Sequence, residues 1–242
     1  MKTKAIILGA GMGTRMNSSL PKVLHEICGI PMIQILLKTV EKADIQDITV
    51  VVGPHMDNLK KAVVPYHTVE QAERLGTGHA VLMAQDYLKP FDGCVLILFG
   101  DSPLLKPETL TKMVQKYQEG FDVVVLGFIP QDARRYGRLV MSEAGLEEIV
   151  EYKDATDEQR AIKLCNSGVM CLNGQHALSL LKEIKNDNAA QEYYLTDVVK
   201  LAKEKGLKRD IVICDVDEAH GVNTPEELEA AEMIYQGRCK ND

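Results

Sequence analysis

No apolar run among the 242 residues approaches the roughly 20 needed to cross a bilayer, which excludes a transmembrane helix and a membrane partner. The start, MKTKAIILGAG, imitates a secretory signal with its lysines and apolar stretch. That stretch is only about five residues long, against roughly 7–15 for a signal core, and it runs straight into glycines. It reads as a buried strand, and the protein as soluble and cytoplasmic. No Pro/Ser-rich linker, charge block, low-complexity run or internal repeat divides the chain, so one domain over 1–242 is expected. Positive charge is also short, with 28 Lys and Arg against 35 Asp and Glu for a formal net charge of −7. Nucleic-acid surfaces need clustered cations, so no nucleic-acid partner is expected. A nucleotide site needs only a few local cations and a metal ion, and that class stays open.

The six cysteines, Cys28, Cys94, Cys165, Cys171, Cys214 and Cys239, form no C-x-x-C pair and no zinc-type spacing. Several lie in apolar segments such as CVLILF and VICD, where a thiol is a small hydrophobe. They are expected to be buried, reduced and structural. His25, His55, His67, His79, His176 and His220 form neither a triad nor a metal spacing, and they too read as structural.

What is present is an ordinary globular composition, 45% hydrophobic and 26% charged. Residues 4–8, 48–53, 95–100 and 122–128 are short, continuously apolar and rich in β-branched side chains, the pattern of parallel strands covered on both faces. Between them, 31–43, 55–63, 76–87 and 107–119 have helical spacing, and Pro107 with Glu108 suits a first helical turn. This order predicts an α/β fold: a doubly wound, mostly parallel sheet of Rossmann-like type with right-handed crossovers. Beyond residue 130 the segments RLVMS, LEEIVEY and LCNSGVMCL are shorter and more polar. They read as hairpins or mixed strands inserted beside the sheet, followed by helices at 174–185, 194–205 and 225–236 and a strand at 209–215. Residues 1–130 thus form a nucleotide-binding half, and 131–242 a β-rich second wall.

In such sheets ligands bind beyond the carboxyl ends of the strands, so those ends carry the chemistry. After the first strand comes LGAGMGTRMNSSLPK, residues 8–22. A dinucleotide fingerprint would need glycine at Thr14, and a P-loop would need lysine after Gly13. Both fail on a specific residue. What remains is a loop whose backbone N–H groups face an anion, flanked by Arg15 with its bidentate fork and Lys22 with its compact charge. The strand VLILF ends in Gly100-Asp101. That aspartate is placed for a divalent cation or for a helix cap, and one carboxylate is enough only if the cation keeps water and phosphate ligands.

The segment L-x-x-G-x-G-T-x-M followed by x4-P-K resembles the signature of the sugar-phosphate nucleotidyltransferases. Gln71 and Leu75-Gly76-Thr77-Gly78-His79-Ala80 are similar to the stretch with which uridylyltransferases of that family read uracil. A glutamine amide matches the donor and acceptor of a pyrimidine edge, and Gly76 admits the ring closely. Thr77 would equally cap the helix that follows. Three further stretches resemble the UDP-N-acetylglucosamine pyrophosphorylase branch: Tyr136-Gly137-Arg138, Glu151 with KDATDEQR to Arg160, and Asn166-Ser167-Gly168.

The resemblance runs over nearly the whole chain and implies a nucleotide-diphospho-sugar transferase fold. It implies that Leu8, Gly9, Ala10, Gly11, Gly13, Thr14, Gln71, Gly76 and Thr77 bind the nucleotide. Phe99, Gly100, Gly137, Glu151 and Asn166 would hold sugar and ribose. Arg15 and Lys22 would act on the phosphates, and Asp101 with Asn223 of the G-V-N stretch would hold Mg²⁺. Asn223 also suits a cap for the helix at 225–236. Glu192-Tyr193-Tyr194-Leu195-Thr196-Asp197 matches a family run that reads as aromatic packing before a Thr/Asp-capped helix. Three positions depart from the pattern: Gly9 stands where the family has alanine, a small-for-small change, Met12 replaces a basic residue, and Phe99 a tyrosine.

The implied reaction joins UTP and N-acetylglucosamine-1-phosphate into UDP-N-acetylglucosamine and pyrophosphate. With no hexapeptide repeats before Asp242, acetyltransferase activity is not expected of the chain, and whether a separate acetyltransferase supplies the substrate stays open at this level. Rival readings are a nucleotidyltransferase for another sugar-1-phosphate, a metal-dependent glycosyltransferase using Asp215-Val216-Asp217, and a non-catalytic nucleotide-sugar sensor. UTP and dTTP share the edge that Gln71 would read and stay undivided at this level.

Overall fold

The computed structural model describes residues 2–133 and 135–239. Eleven strands and eight α-helices follow one another along them. They are β1 (Lys2–Leu8), β2 (Glu26–Ile27), β3 (Ile30–Pro31), α1 (Met32–Lys42), β4 (Asp47–Val52), α2 (Asp57–Ala62), β5 (His67–Glu70), α3 (Thr77–Leu82), β6 (Gly93–Phe99), α4 (Pro107–Gln118) and β7 (Val123–Phe128). Then come β8 (Arg138–Ser142), β9 (Gly145–Val150), α5 (Asp157–Arg160), β10 (Cys165–Asn173), α6 (Ala177–Glu183), α7 (Asp197–Glu204), β11 (Arg209–Ile213) and α8 (Pro225–Cys239).

One sheet runs through both halves in the order β11-β7-β10-β6-β1-β4-β5, with the β8–β9 hairpin attached to β10. Every pair on that path is parallel except those of β10, which runs antiparallel between β6 and β7. The fold class is as the element order predicted: α/β, mostly parallel and Rossmann-like. The placement of LCNSGVMCL is a correction. It is a central strand rather than an insertion beside the sheet, because Val169, Met170, Cys171 and Leu172 alternate apolar side chains to both covered faces. Within this sheet the β8–β9 hairpin lies off the main path, and β2 and β3 form a separate two-stranded sheet.

The period-2 alternation divides the core in two. Ala5, Ile7, Val50, Leu96 and Leu98 face α1, α2 and α4, while Ile6, Leu8, Val51, Val95 and Ile97 face α3, α6 and α7. A third cluster packs α8 on the β2–β3 hairpin through Ile27, Met32, Leu104, Val222 and Ala231. The short elements β5, the β2–β3 hairpin and α5 lie outside the sequence expectation, since four residues of mixed polarity or a two-residue pair carry too little pattern. The helix expected at 76–87 is regular only to Leu82.

The cysteines are all free, with Cys94, Cys165 and Cys171 buried as expected. Cys28 and Cys239 correct that expectation: one sits on the β2–β3 turn and the other at the end of α8, and both are exposed. No helix among the described residues is long and apolar enough to cross a membrane.

Candidate active site

The carboxyl ends of β1, β5 and β6 bring most of the predicted nucleotide residues around one cavity of about 300 Å³. Leu8, Gly9, Ala10, Gly11, Lys22, Gln71, Gly76, Thr77, Phe99 and Asp101 all line it. Gln71 is buried, its backbone N–H held by the Val52 carbonyl. Its side-chain Nε2 donates to the Gly76 carbonyl at 3.1 Å and lies 3.2 Å from His79 Nδ1. The amide oxygen is left to accept a hydrogen bond from a ligand. His79 is therefore more than structural filling, because it helps fix the orientation of Gln71.

Gly76 has φ +117°, and a Cβ there would stand 2.6 Å from the Tyr193 carbonyl oxygen. Only glycine lets the loops around 76 and 193 touch in this way. Thr77 does not cap α3. Its hydroxyl accepts the Leu195 N–H at 3.0 Å, tying the first half of the chain to the second.

Four predicted residues meet at the cavity's edge. The Lys22 ammonium donates to Asp101 Oδ2 and, at 2.9 Å, to Asn223 Oδ1. Arg15 Nη2 reaches the same Asn223 oxygen at 2.9 Å. The loop before α8 is brought there by the Val222 N–H bonding to the Asp101 carbonyl at 2.9 Å. Asn223 does not cap α8. Thr224 does, its hydroxyl accepting the Glu227 N–H, while the Glu227 carboxylate accepts the Asn223 N–H at 2.8 Å.

Two oxygens from distant segments thus converge on one cation, which is what a hard divalent ion would ask of them. No cluster of three or more His, Cys, Asp or Glu groups suited to a metal exists among the described residues. A cation bound by Asp101 and Asn223 would therefore keep water and phosphate oxygens as its other ligands. Gly13, Thr14, Arg15 and Gly100 line neither this cavity nor the next. Gly13 turns the chain into a short 3₁₀ turn over Thr14–Met16 that carries Arg15 to Asn223, and Gly100 packs against Val23.

A second cavity of about 370 Å³ adjoins the first and shares Thr77, Phe99 and Asp101 with it. Gly137, Glu151 and Asn166 line it together, although they come from three elements. A Cβ on Gly137 would lie 3.6 Å from both the Asn166 Cβ and Glu151 Oε1, and the Asn166 N–H donates to the Gly137 carbonyl at 2.9 Å. The pairing of β10 with β7 slips between Asn166 and Met170. That irregularity aims Asn166 inward and seats Gly168 against the Phe99 ring, which accounts for Phe99 as a partition between the cavities.

Burial pushes the Glu151 carboxyl above its ordinary range, and Asp154, Asp197 and Glu192 add to the rise. The Thr196 hydroxyl, donating at 3.3 Å, partly offsets it. Thr196 serves this bond rather than a side-chain cap for α7, a correction to the sequence expectation. Arg138 and the KDATDEQR segment support the wall from behind. Buried Arg138 donates to the carbonyls of Ala133, Tyr136 and Arg160, and Thr156 with Gln159 forms a capping box on α5.

Arg74, Glu192, Ser102, Arg135, Ser167 and Thr196 line the two cavities without having been predicted to bind there. Arg74 stood inside the Gln71–Ala80 stretch and was visible in principle. Arg135 lies on a loop with no pattern to mark it.

A glycine loop at strand ends, with cations and oxygen ligands between paired cavities, defines the class as α/β nucleotidyltransferases. Residues 5–178 match the MobA-like NTP transferase domain, and the chain belongs to that family. Curated relatives run along almost all of it. The bifunctional protein GlmU of Rhodospirillum rubrum is 54% identical over 241 residues, covering 99% of this chain and 54% of that protein. Those of Paramagnetospirillum magneticum and Roseobacter denitrificans are 50% identical over 241 residues and 47% over 246, covering 99% and 100% of this chain and 54% of each relative. The chain spans about half the length of the curated relatives it matches.

Proposed function

We propose that the chain is a Mg²⁺-dependent uridylyltransferase that makes UDP-N-acetylglucosamine and pyrophosphate from UTP and N-acetylglucosamine-1-phosphate. The observation that carries this reading is the convergence of Arg15, Lys22, Asp101 and Asn223 between a cavity bearing Gln71 and Gly76 and one bearing Gly137, Glu151 and Asn166. The first cavity takes the donor nucleotide, with the Gln71 amide oxygen accepting the uracil ring N–H. The second takes the amino sugar, whose hydroxyl and amide groups suit a carboxylate and a carboxamide.

An oxygen of the acceptor phosphate attacks the α-phosphorus of UTP in line. The bond to the α,β-bridging oxygen breaks, and pyrophosphate leaves. A phosphate monoester is already ionised at neutral pH, so no general base is needed and no protein nucleophile takes part. The chain's work is positioning and charge neutralisation. Backbone N–H groups of the loop after β1 hold the phosphates, Arg15 stabilises the departing pyrophosphate, and Lys22 offsets charge nearest the reacting centre. Asp101 and Asn223 would hold the Mg²⁺, which when bound neutralises and aligns the phosphate oxygens.

The test is pyrophosphate release from a panel of nucleoside triphosphates and sugar-1-phosphates, with and without a chelator. A preference for UTP with N-acetylglucosamine-1-phosphate that vanishes on chelation is expected. Preference for another sugar-1-phosphate would replace the acceptor assignment, and binding of UDP-N-acetylglucosamine without turnover by any pair would reduce the protein to a sensor.

A further inference from the structure

Two arginines outside the glycine loop each face one cavity. Arg74 lines the first. Its Nε donates to the Ala10 carbonyl at 2.8 Å, which ties it to the chain leaving β1. Its Nη2 lies over the end of β4, where a Cβ on Gly53 would stand 2.6 Å away. Gly53 is thus the platform on which the guanidinium rests. Lys22, the other cation on this cavity, is bridged to Asp101 and Asn223. Arg74 makes no ion pair among the described residues and keeps donors free for an anion or a carbonyl oxygen.

Arg135 is the one cation among the described residues that line the second cavity, where Asp101 and Glu151 are the acids. It also borders an adjoining hollow of about 320 Å³ with Glu151, Tyr152, Lys153 and Tyr194. Lys22 already offsets Asp101. Among the described residues, the acid that a sugar-1-phosphate dianion meets on this wall without a paired cation is therefore Glu151, and a cation at the cavity's edge offsets it. Arg135 is exposed, so its action is long-range and open to salt screening.

We infer that the two arginines divide the substrates between them: Arg74 binds the donor nucleotide, and Arg135 draws in the acceptor phosphate monoester. This rests on the reading of the first cavity as donor site and the second as acceptor site. Each arginine is a local answer to one substrate's charge, so removing one leaves the other substrate's binding in place.

The experiment is steady-state kinetics of pyrophosphate release by Arg74→Gln and Arg135→Gln, each substrate varied at saturation of the other, with thermal unfolding as a folding control. Arg74→Gln should raise the KM for UTP about tenfold, the loss of a charge-assisted contact, and leave the acceptor KM within about twofold. Arg135→Gln should raise the acceptor KM about threefold at low salt, an effect that shrinks at high salt, and leave the KM for UTP unmoved. Arg135→Lys should restore the acceptor KM, since a point charge suffices, whereas Arg74→Lys should not restore the donor KM, since the planar fork is required. Both KM values moving together in either variant, or neither moving, overturns the division. If the unmodified chain turns over no nucleotide and sugar-phosphate pair, the functional reading fails, and calorimetric titration of UTP and of N-acetylglucosamine-1-phosphate onto the same variants still decides the division.

Discussion

The cavities proposed for donor and acceptor share Thr77, Phe99 and Asp101, yet their walls are assembled in opposite ways. Most of the donor wall lies at or just beyond the end of a parallel strand: Leu8 to Gly11 after β1, Gln71, Arg74, Gly76 and Thr77 after β5, and Phe99 and Asp101 at the end of β6, with Lys22, Val23, Ala80 and Glu192 completing it. The acceptor wall takes Gly137 from before β8, Glu151 from after β9 and Asn166 from an irregular stretch inside β10. Thr196 comes from before α7, and Asn223 from before α8. One rule of α/β architecture accounts for most of the first. The second depends on several long-range packings holding at once, with the contact between Gly76 and Tyr193 and the bond between Thr77 and Leu195 as its hinges to the donor side.

The shared residue Asp101 offers the sharpest way to break that contrast. Asp101→Ala should lower kcat by about 10²–10³-fold and abolish the response to added Mg²⁺, because it removes charge stabilisation at the point both cavities share. A variant that keeps Mg²⁺-stimulated pyrophosphate release would remove Asp101 from the site. Gly76→Ala attacks the seam itself. Its Cβ collides with the backbone of Tyr193 in a left-handed conformation, so the fold should lose about 2–3 kcal/mol, read as a lower melting temperature.

Gln71→Ala should act on the donor side alone. It should raise the KM for UTP about tenfold and weaken the preference for UTP over CTP, as expected when a buried hydrogen-bonding amide is lost. Equal effects on both substrates would show that the cavities are not separable.

Glu151→Gln reports on the acceptor side and adds a pH signature. The folded state holds the Glu151 proton more tightly than the unfolded chain does. Ionising it therefore costs stability as pH rises above the ordinary value of 4.5 and through the raised one. Glutamine never ionises, so the variant should gain melting temperature relative to the parent as pH rises over that window, while its acceptor KM increases several-fold. A difference in melting temperature that is flat with pH would refute the raised carboxyl. Thr196→Val should have the smallest effect, an increase in acceptor KM of about twofold, since it deletes a single long hydrogen bond to Glu151.

The same contrast explains what was readable in the chain before its structure. Apolar runs of five to seven residues announce β1, β4, β6 and β7, and the residues after β1 and β6 announce a phosphate loop and a cation position, because strand, turn and ligand contact are neighbours in sequence. Gln71, Gly76 and Thr77, beyond the unannounced β5, are read through the family resemblance. The acceptor residues Gly137, Glu151 and Asn166 carry no such local pattern and entered only through resemblance to a family. Even then, β10 was expected beside the sheet. Its polar Asn166 and Ser167 sit where the strand departs from regular pairing, which blurred an otherwise apolar central strand. Arg74 carries no reading of its own and Thr196 reads as a helix cap for a related reason: each sits beside a strong motif, but its contact is with a partner far along the chain, Ala10 for one and Glu151 for the other.

The wall shared by the two cavities also bears on how the enzyme lets go. Under the proposed reaction each substrate fills one chamber, whereas the sugar nucleotide that forms spans both. Its two ends are then linked ligands, and the second end rebinds at the high effective concentration set by the first. The product should therefore bind more tightly than UMP or the free sugar phosphate, and its departure should slow the cycle unless Phe99 and Thr77 yield. Accumulating product would act as a brake on its own synthesis, built from three side chains common to both rooms.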